Sequence, residues 1–344
     1  MTVARSQLVD VEVTPWYHVI SKTVRGAFLL REGEEDRKEW IENRLQFLAR
    51  LFSVEVAGFA IMDNHLHVLV RLEPDQIDGW SDEDVVRRWG ELFPPRGADR
   101  QPLELTDAWV KQQMADAKFV EKCRVRLADL GWFMKCLKEP LARMVNKLED
   151  QSGAFWQSRY KSIAVLDDEA LLATCAYIDL NPVAAGVAKL PEESDHTSVK
   201  TRVDHCRETG RIDDLQAARE GTVAGVQAAT GIEDDLWLCP IEDARGSGSV
   251  RTGLLDGFSL GSYLQLVDYT SRLVRNGKAR VSAEVATILD RMGTSADIWN
   301  HNLKRMFSRT KHLGTAFSFS REKLNATAAR RGLQRMANLN GCRA

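Results

Sequence analysis

The sequence predicts an α+β fold, a ferredoxin-like sandwich of antiparallel sheet and helices followed by a mostly helical C-terminal domain. Three observations lead there. Apolar periodicity alternates between strand-like and helix-like stretches in the order β-α-β-β-α-β-α. The 344 residues are 44% hydrophobic and 28% charged, ordinary for globular protein and enough chain for about two domains. Charge is also divided: from Arg251 onward 16 Lys/Arg face 6 Asp/Glu, a net of +10, while the total is only −2. Such asymmetry marks either a polyanion-binding segment or a solvated basic helical surface.

In chain order, Trp16 to Val24 is dense in aromatic and β-branched residues and predicts the first strand. Gly33 to Phe52 repeats Trp40, Ile41, Leu45, Leu48, Leu51 and Phe52 at helical spacing. The segment from Ser53 to Glu73 predicts two strands turning near Asp63 and Asn64. Residues 73–130 are acidic, Trp-containing and mostly helical, a helical insertion in which Ser81 and Asp84 form a capping box. Residues 131–150 predict a second long helix with Phe133, Leu137, Leu141, Met144 and Leu148 on one stripe and Lys135, Lys138, Arg143 and Lys147 off it. The run from Phe155 to Leu166 predicts a further strand. A helix over 169–181 follows, capped by Asp167 or Asp168 and ended by Pro182. Residues 1–192 thus form the first domain, 193–258 a connecting segment, and 259–344 a basic helical domain.

Six scattered cysteines without a C-x-x-C pair argue against a disulfide scaffold or a thiolate zinc site. No apolar run approaches the ~20 residues of a membrane span, and the N-terminus has no signal-peptide core. A soluble protein of a reducing compartment is expected, with no membrane partner.

Two constellations carry chemistry. His65 and His67, at i and i+2 on a strand, share one face and form half of a metal site, although two satisfied sheet histidines would look the same. Tyr177 and Asn181, at i and i+4 on a helix, stack on another face, with small Ala173 a turn earlier. With a pKa of about 10 a tyrosine hydroxyl is a weak nucleophile, and becomes effective beside a divalent ion that polarises a phosphate. The simpler alternative is a half-buried packing tyrosine and a capping asparagine.

MDNHLHVLV, then GAFWQSRYKSI, then YIDLNPVAAG, in this order, resemble the single-tyrosine transposases of the HUH nuclease superfamily. Among these the chain is most similar to the REP-associated tyrosine transposases, over about residues 13–190. The resemblance implies an HUH nuclease core with His65 and His67 as metal ligands, Tyr177 as nucleophile and Asn181 where some relatives have a glutamine ligand. It implies Mg²⁺ or Mn²⁺ as cofactor. The partner it implies is single-stranded or hairpin DNA, and both monomers and homodimers occur in the family. The reaction would be strand cleavage and transfer through a 5′-phosphotyrosine, in the bacterial cytoplasm at the nucleoid. Gln157, Arg159 and Lys161 on the motif strand, and Lys135, Lys138 and Arg143 on the long helix, are the expected DNA contacts. A hairpin-binding regulator without catalysis and a rolling-circle or relaxase-type initiator are the alternatives, the latter without any G-x-x-x-x-G-K-[ST] loop here.

Overall fold

A computed structural model of the chain describes residues 8–31, 36–214, 231–243, 251–256, 258–276, 285–286, 289–290, 294–308 and 316–331. Four strands form the body of one sheet: β1 (Trp16–Lys22), β2 (Val54–Ile61), β3 (His65–Leu72) and β4 (Lys161–Val165). Their order is β2-β3-β1-β4, each pair antiparallel. A two-residue strand, Ala316–Phe317, adds a parallel edge beside β4 and makes the sheet mixed and five-stranded. Periodicity could not announce so short a strand, whose pairing partner lies far back in the chain.

Alternation divides the sheet into two faces. Tyr17, Val19, Leu66, Val68 and Val70 enter one core with helix α1 (Arg37–Leu51) and the long helix α6 (Leu130–Leu148). Asp36 caps α1 through the amides of Lys38 and Glu39, and Asp129 caps α6 through that of Trp132. Each fully buried leucine of α1, such as Leu45 or Leu48, contributes about 1.5–3 kcal/mol of apolar burial. The predicted insertion folds as α2 (Pro74–Asp78), α3 (Asp82–Leu92), α4 (Asp107–Met114) and α5 (Ala117–Leu127), with the Ser81–Asp84 capping box in place. Its Val85, Val86, Val110 and Val120 extend this same core.

Ile20, Leu69, Ile163 and Val165 face the opposite way, against helix α7 (Asp168–Asp179). Every α7 residue from Ala170 to Asp179 is buried, the signature of a helix covered on all sides. Helix α8 (Asn181–Ala184), helix α9 (Ser198–Glu208) and the helices Leu260–Asn276 and Ala296–Ser308 supply the cover. Gly58 sits at a register shift in β2, where a Cβ would lie 3.3 Å from Ser198 Oγ, so its missing side chain admits α9.

Three expectations are corrected. The strand expected from Phe155 is continuous only from Lys161: Trp156 makes an isolated antiparallel bridge to Thr23, and residues 157–160 interrupt the ladder. Trp156 Nε1 donates to Lys138 O at 3.0 Å, and the Gln157 amide donates to Lys22 O at 2.9 Å. Arg159 therefore precedes the strand rather than sharing a face of it with Lys161. Lys138, expected on the solvated side of α6, is 9% exposed, with Nζ on Ser158 O at 3.2 Å and over the Trp156 ring at 5.0 Å. The helix expected over 169–181 stops at Asp179, and Asn181 opens the next short helix. Part of the basic C-terminal stretch and of the Gly-rich connection lies outside the described residues.

Among the described residues no helix is long and apolar enough to cross a membrane.

Candidate active site

The site lies between the α7-facing side of the sheet and the end of α7. The β1–β3 register sets Lys22 opposite His65 and Ile20 opposite His67, which places His18, Ile20, Lys22, His65 and His67 on one face. The rings of His65 and His67 are 4.9 Å apart and nearly perpendicular. Tyr177 approaches from α7 with its ring edge-on to His67 at 5.5 Å and to His18 at 6.0 Å. Asn181 adds its amide, Nδ2 lying 3.5 Å from His67 Nε2. Four predicted residues from segments more than a hundred positions apart thus meet in one cluster.

Burial grades across it. His67 and Tyr177 are 2% and 1% exposed, whereas His65 and Asn181 are half-buried and form the open side. Burial pushes the His65 imidazolium down to about 4 and that of His67 well below its usual value, with the Lys22 charge adding to both. Both rings are therefore neutral at physiological pH, as ligation requires.

Three contributors were not singled out in the sequence. His18 is 2% exposed and its Nε2 lies 2.8 Å from His67 Nδ1. Asn64 Oδ1 accepts from His65 Nδ1 at 2.6 Å, which leaves the lone pair on His65 Nε2, on the ring that also meets the Asn181 side chain. The same Asn64 donates from Nδ2 to Gly26 O at 3.1 Å, tying the loop after β1 to the site. Lys22 is exposed at the site's rim. For His18 and Lys22 the signal was available in the i, i+2, i+4 series His18, Ile20, Lys22, but it needs the β1–β3 register to acquire meaning.

Among the described residues no group of three or more His, Cys, Asp or Glu side chains is placed to hold a metal ion. An ion here would rest on two imidazole nitrogens and the Asn181 amide oxygen, after the amide turns. That mixed nitrogen and oxygen set suits Mn²⁺ or Mg²⁺, provided water and phosphate oxygens complete the shell.

The expected DNA contacts divide. Lys161 lies on the histidine-bearing face, paired with Ile20, which itself pairs with His67. Gln157 and Arg159 are exposed just before it, beside Lys22. Lys135 and Arg143 are exposed on α6 across the sheet, where Lys135 lies over Trp132 and Arg143 pairs with Glu139. Lys138 is buried between them.

No family model matches the chain, and no curated protein matches it. The chain is similar to a solved REP-associated tyrosine transposase bound to a REP hairpin, at 13% identity and a TM-score of 0.33, over 55% of this chain and 78% of that one. Similarity that loose says nothing of what this chain binds or does.

Proposed function

We propose that this protein is a metal-dependent single-strand DNA endonuclease and strand transferase of transposase type, acting on hairpin DNA. The observation that carries the reading is the convergence of His65, His67, Tyr177 and Asn181 in one cluster. The strand order β2-β3-β1-β4, with α1 and α6 on one face, supports a ferredoxin-like core of HUH type.

In this reading Tyr177 Oη attacks the scissile phosphorus. The new P–O bond forms as the P–O3′ bond breaks, the phenolic proton departs, and the 3′-oxygen gains one. The products are a 5′-phosphotyrosyl enzyme and a free 3′-hydroxyl. Because the bond energy is retained, another 3′-hydroxyl can reverse the step and join new ends. A divalent ion on His65, His67 and Asn181 would polarise the phosphodiester and offset its developing charge. Lys22, Gln157, Arg159 and Lys161 would hold the strand by its phosphates at the open side, and Lys135 and Arg143 would reach only a longer substrate.

The burial of Tyr177 favours a second reading, a hairpin-binding regulator without catalysis, since a nucleophile 1% exposed must be uncovered before it reacts. One experiment separates the two. Purified protein is incubated with Mn²⁺ and labelled single-stranded hairpins from the DNA flanking its gene, beside Tyr177→Phe, and resolved on a denaturing gel. A covalent adduct in wild type that disappears in Tyr177→Phe is expected. Tight hairpin binding with no adduct under any metal would replace the enzyme with the regulator.

A further inference from the structure

Resting on the metal-dependent reading above, we infer that His18 is a positioning residue that holds His67 with its proton on Nδ1 and its Nε2 lone pair turned towards Asn181. His18 and His67 are diagonal neighbours on adjacent strands: His18 pairs with Leu69, two residues beyond His67. The 2.8 Å contact between His18 Nε2 and His67 Nδ1 is buried, with ring centroids 5.1 Å apart and ring planes inclined by 29°. One nitrogen of the pair carries the proton and the other accepts it.

The remaining contacts decide which. Asn181 Nδ2 can only donate, so its approach to His67 Nε2 at 3.5 Å needs a lone pair there. A metal ion would need the same lone pair. Both place the His67 proton on Nδ1, donating back to His18. His65 repeats the arrangement: Asn64 Oδ1 can only accept, so His65 Nδ1 carries the proton and Nε2 the lone pair. The two rings are thus held from behind by different partners, Asn64 at the open side and His18 in the interior, and present matching nitrogens to Asn181. Ligating histidines commonly donate their second N–H to a backing acceptor, which fixes tautomer and ring orientation. Here a third imidazole takes that part, and its 2% exposure keeps water from replacing it.

The test uses the full chain and needs no DNA. Mn²⁺ binding is measured by calorimetry for wild type, His18→Leu and His18→Gln, and the His67 tautomer is read from ¹⁵N–¹H correlation spectra of the metal-free proteins. His18→Leu removes the acceptor, and its Mn²⁺ affinity is expected to fall about 10- to 100-fold. His18→Gln keeps an acceptor near the position of Nε2 and is expected to recover most of the affinity in a folded protein. Wild-type His67 is expected as the Nδ1–H form, lost in His18→Leu. Equal affinity in wild type and His18→Leu, or an Nε2–H proton on wild-type His67, would overturn the inference. If wild type binds no Mn²⁺ the metal reading fails, and the tautomer spectra alone then decide the role of His18.

Discussion

Tyr263→Phe measures how firmly the C-terminal part clasps the tyrosine helix. Tyr263 is 1% exposed on the helix Leu260–Asn276, and its hydroxyl donates to Asp179 Oδ2, two residues beyond Tyr177. Asp179 Oδ1 already accepts from Ser198 Oγ at 2.5 Å and from the Val199 amide at 3.0 Å, so Oδ2 depends on Tyr263. Phenylalanine fills the same volume, so no cavity adds to the cost. Loss of a hydrogen bond to a buried charged acceptor costs about 1.5–3 kcal/mol. The pH dependence has a defined sign. Burial pushes the Asp179 carboxyl up, and the Tyr263 hydroxyl opposes that. A carboxyl raised in the folded state contributes stability present below its unfolded pKa and lost as pH rises through the folded value. Without the hydroxyl the folded pKa rises further. The deficit of Tyr263→Phe should therefore be largest above the Asp179 titration and shrink as pH falls through it. Urea denaturation gives the total. Amide exchange within Leu260–Asn276 gives the local opening, where about 2 kcal/mol is roughly a 30-fold faster exchange. Tyr269→Phe is the control: its hydroxyl meets only the neutral Asn300 amide, worth about 1 kcal/mol. A Tyr263→Phe deficit under 0.5 kcal/mol, or one unchanged with pH, would refute the clasp on this order-of-magnitude scale.

Three further outcomes are expected. Arg202→Met breaks a fully buried pair with Glu233 and strips donors from the carbonyls of Ala57 and Cys239; it should cost about 3–5 kcal/mol in urea denaturation. Arg202→Met with Glu233→Gln should recover part of that, and strict additivity of the two would show the pair is not coupled. Glu42 accepts from His196 and raises its pKa. That stabilisation is full below pH 6.5 and lost as pH rises through the folded value, so Glu42→Gln should cost roughly 1 kcal/mol at pH 6 and less at pH 9 by thermal melts. A larger deficit at pH 9 would contradict this. Gly26 has φ +68° in the loop that Asn64 holds, and Gly26→Ala should cost about 1–2 kcal/mol. An unchanged melting temperature would show that the loop relaxes freely.

Much of the molecule was legible before folding because its signals are local. Strand and helix periodicities placed β1 to β3, α1, α6 and α7 within a few residues. The i, i+2 rule alone put His65 and His67 on one face. Helix spacing brought Asn181 beside Tyr177 even though the helix breaks at Leu180, whose φ of −91° and ψ of 3° keep the chain nearly helical. Legibility failed where a local pattern had two outcomes. Lys138 sits off the apolar stripe of α6, yet its ammonium lies over the Trp156 ring and reaches Ser158 O, because the irregular segment before β4 lies against the helix. Arg159 falls in that same segment and so loses the strand alternation expected of it.

The sequence by itself determined which residue types could do chemistry and which face of its own element each would occupy, since both follow from a backbone repeat of a few residues. Tertiary structure alone decided how those faces meet. His18 lies 49 positions from His67 and reaches it only through the β1–β3 register, and Tyr263 lies 84 positions from Asp179. Such contacts come from strand pairing and core packing, which join segments whose spacing in the chain carries no periodic trace.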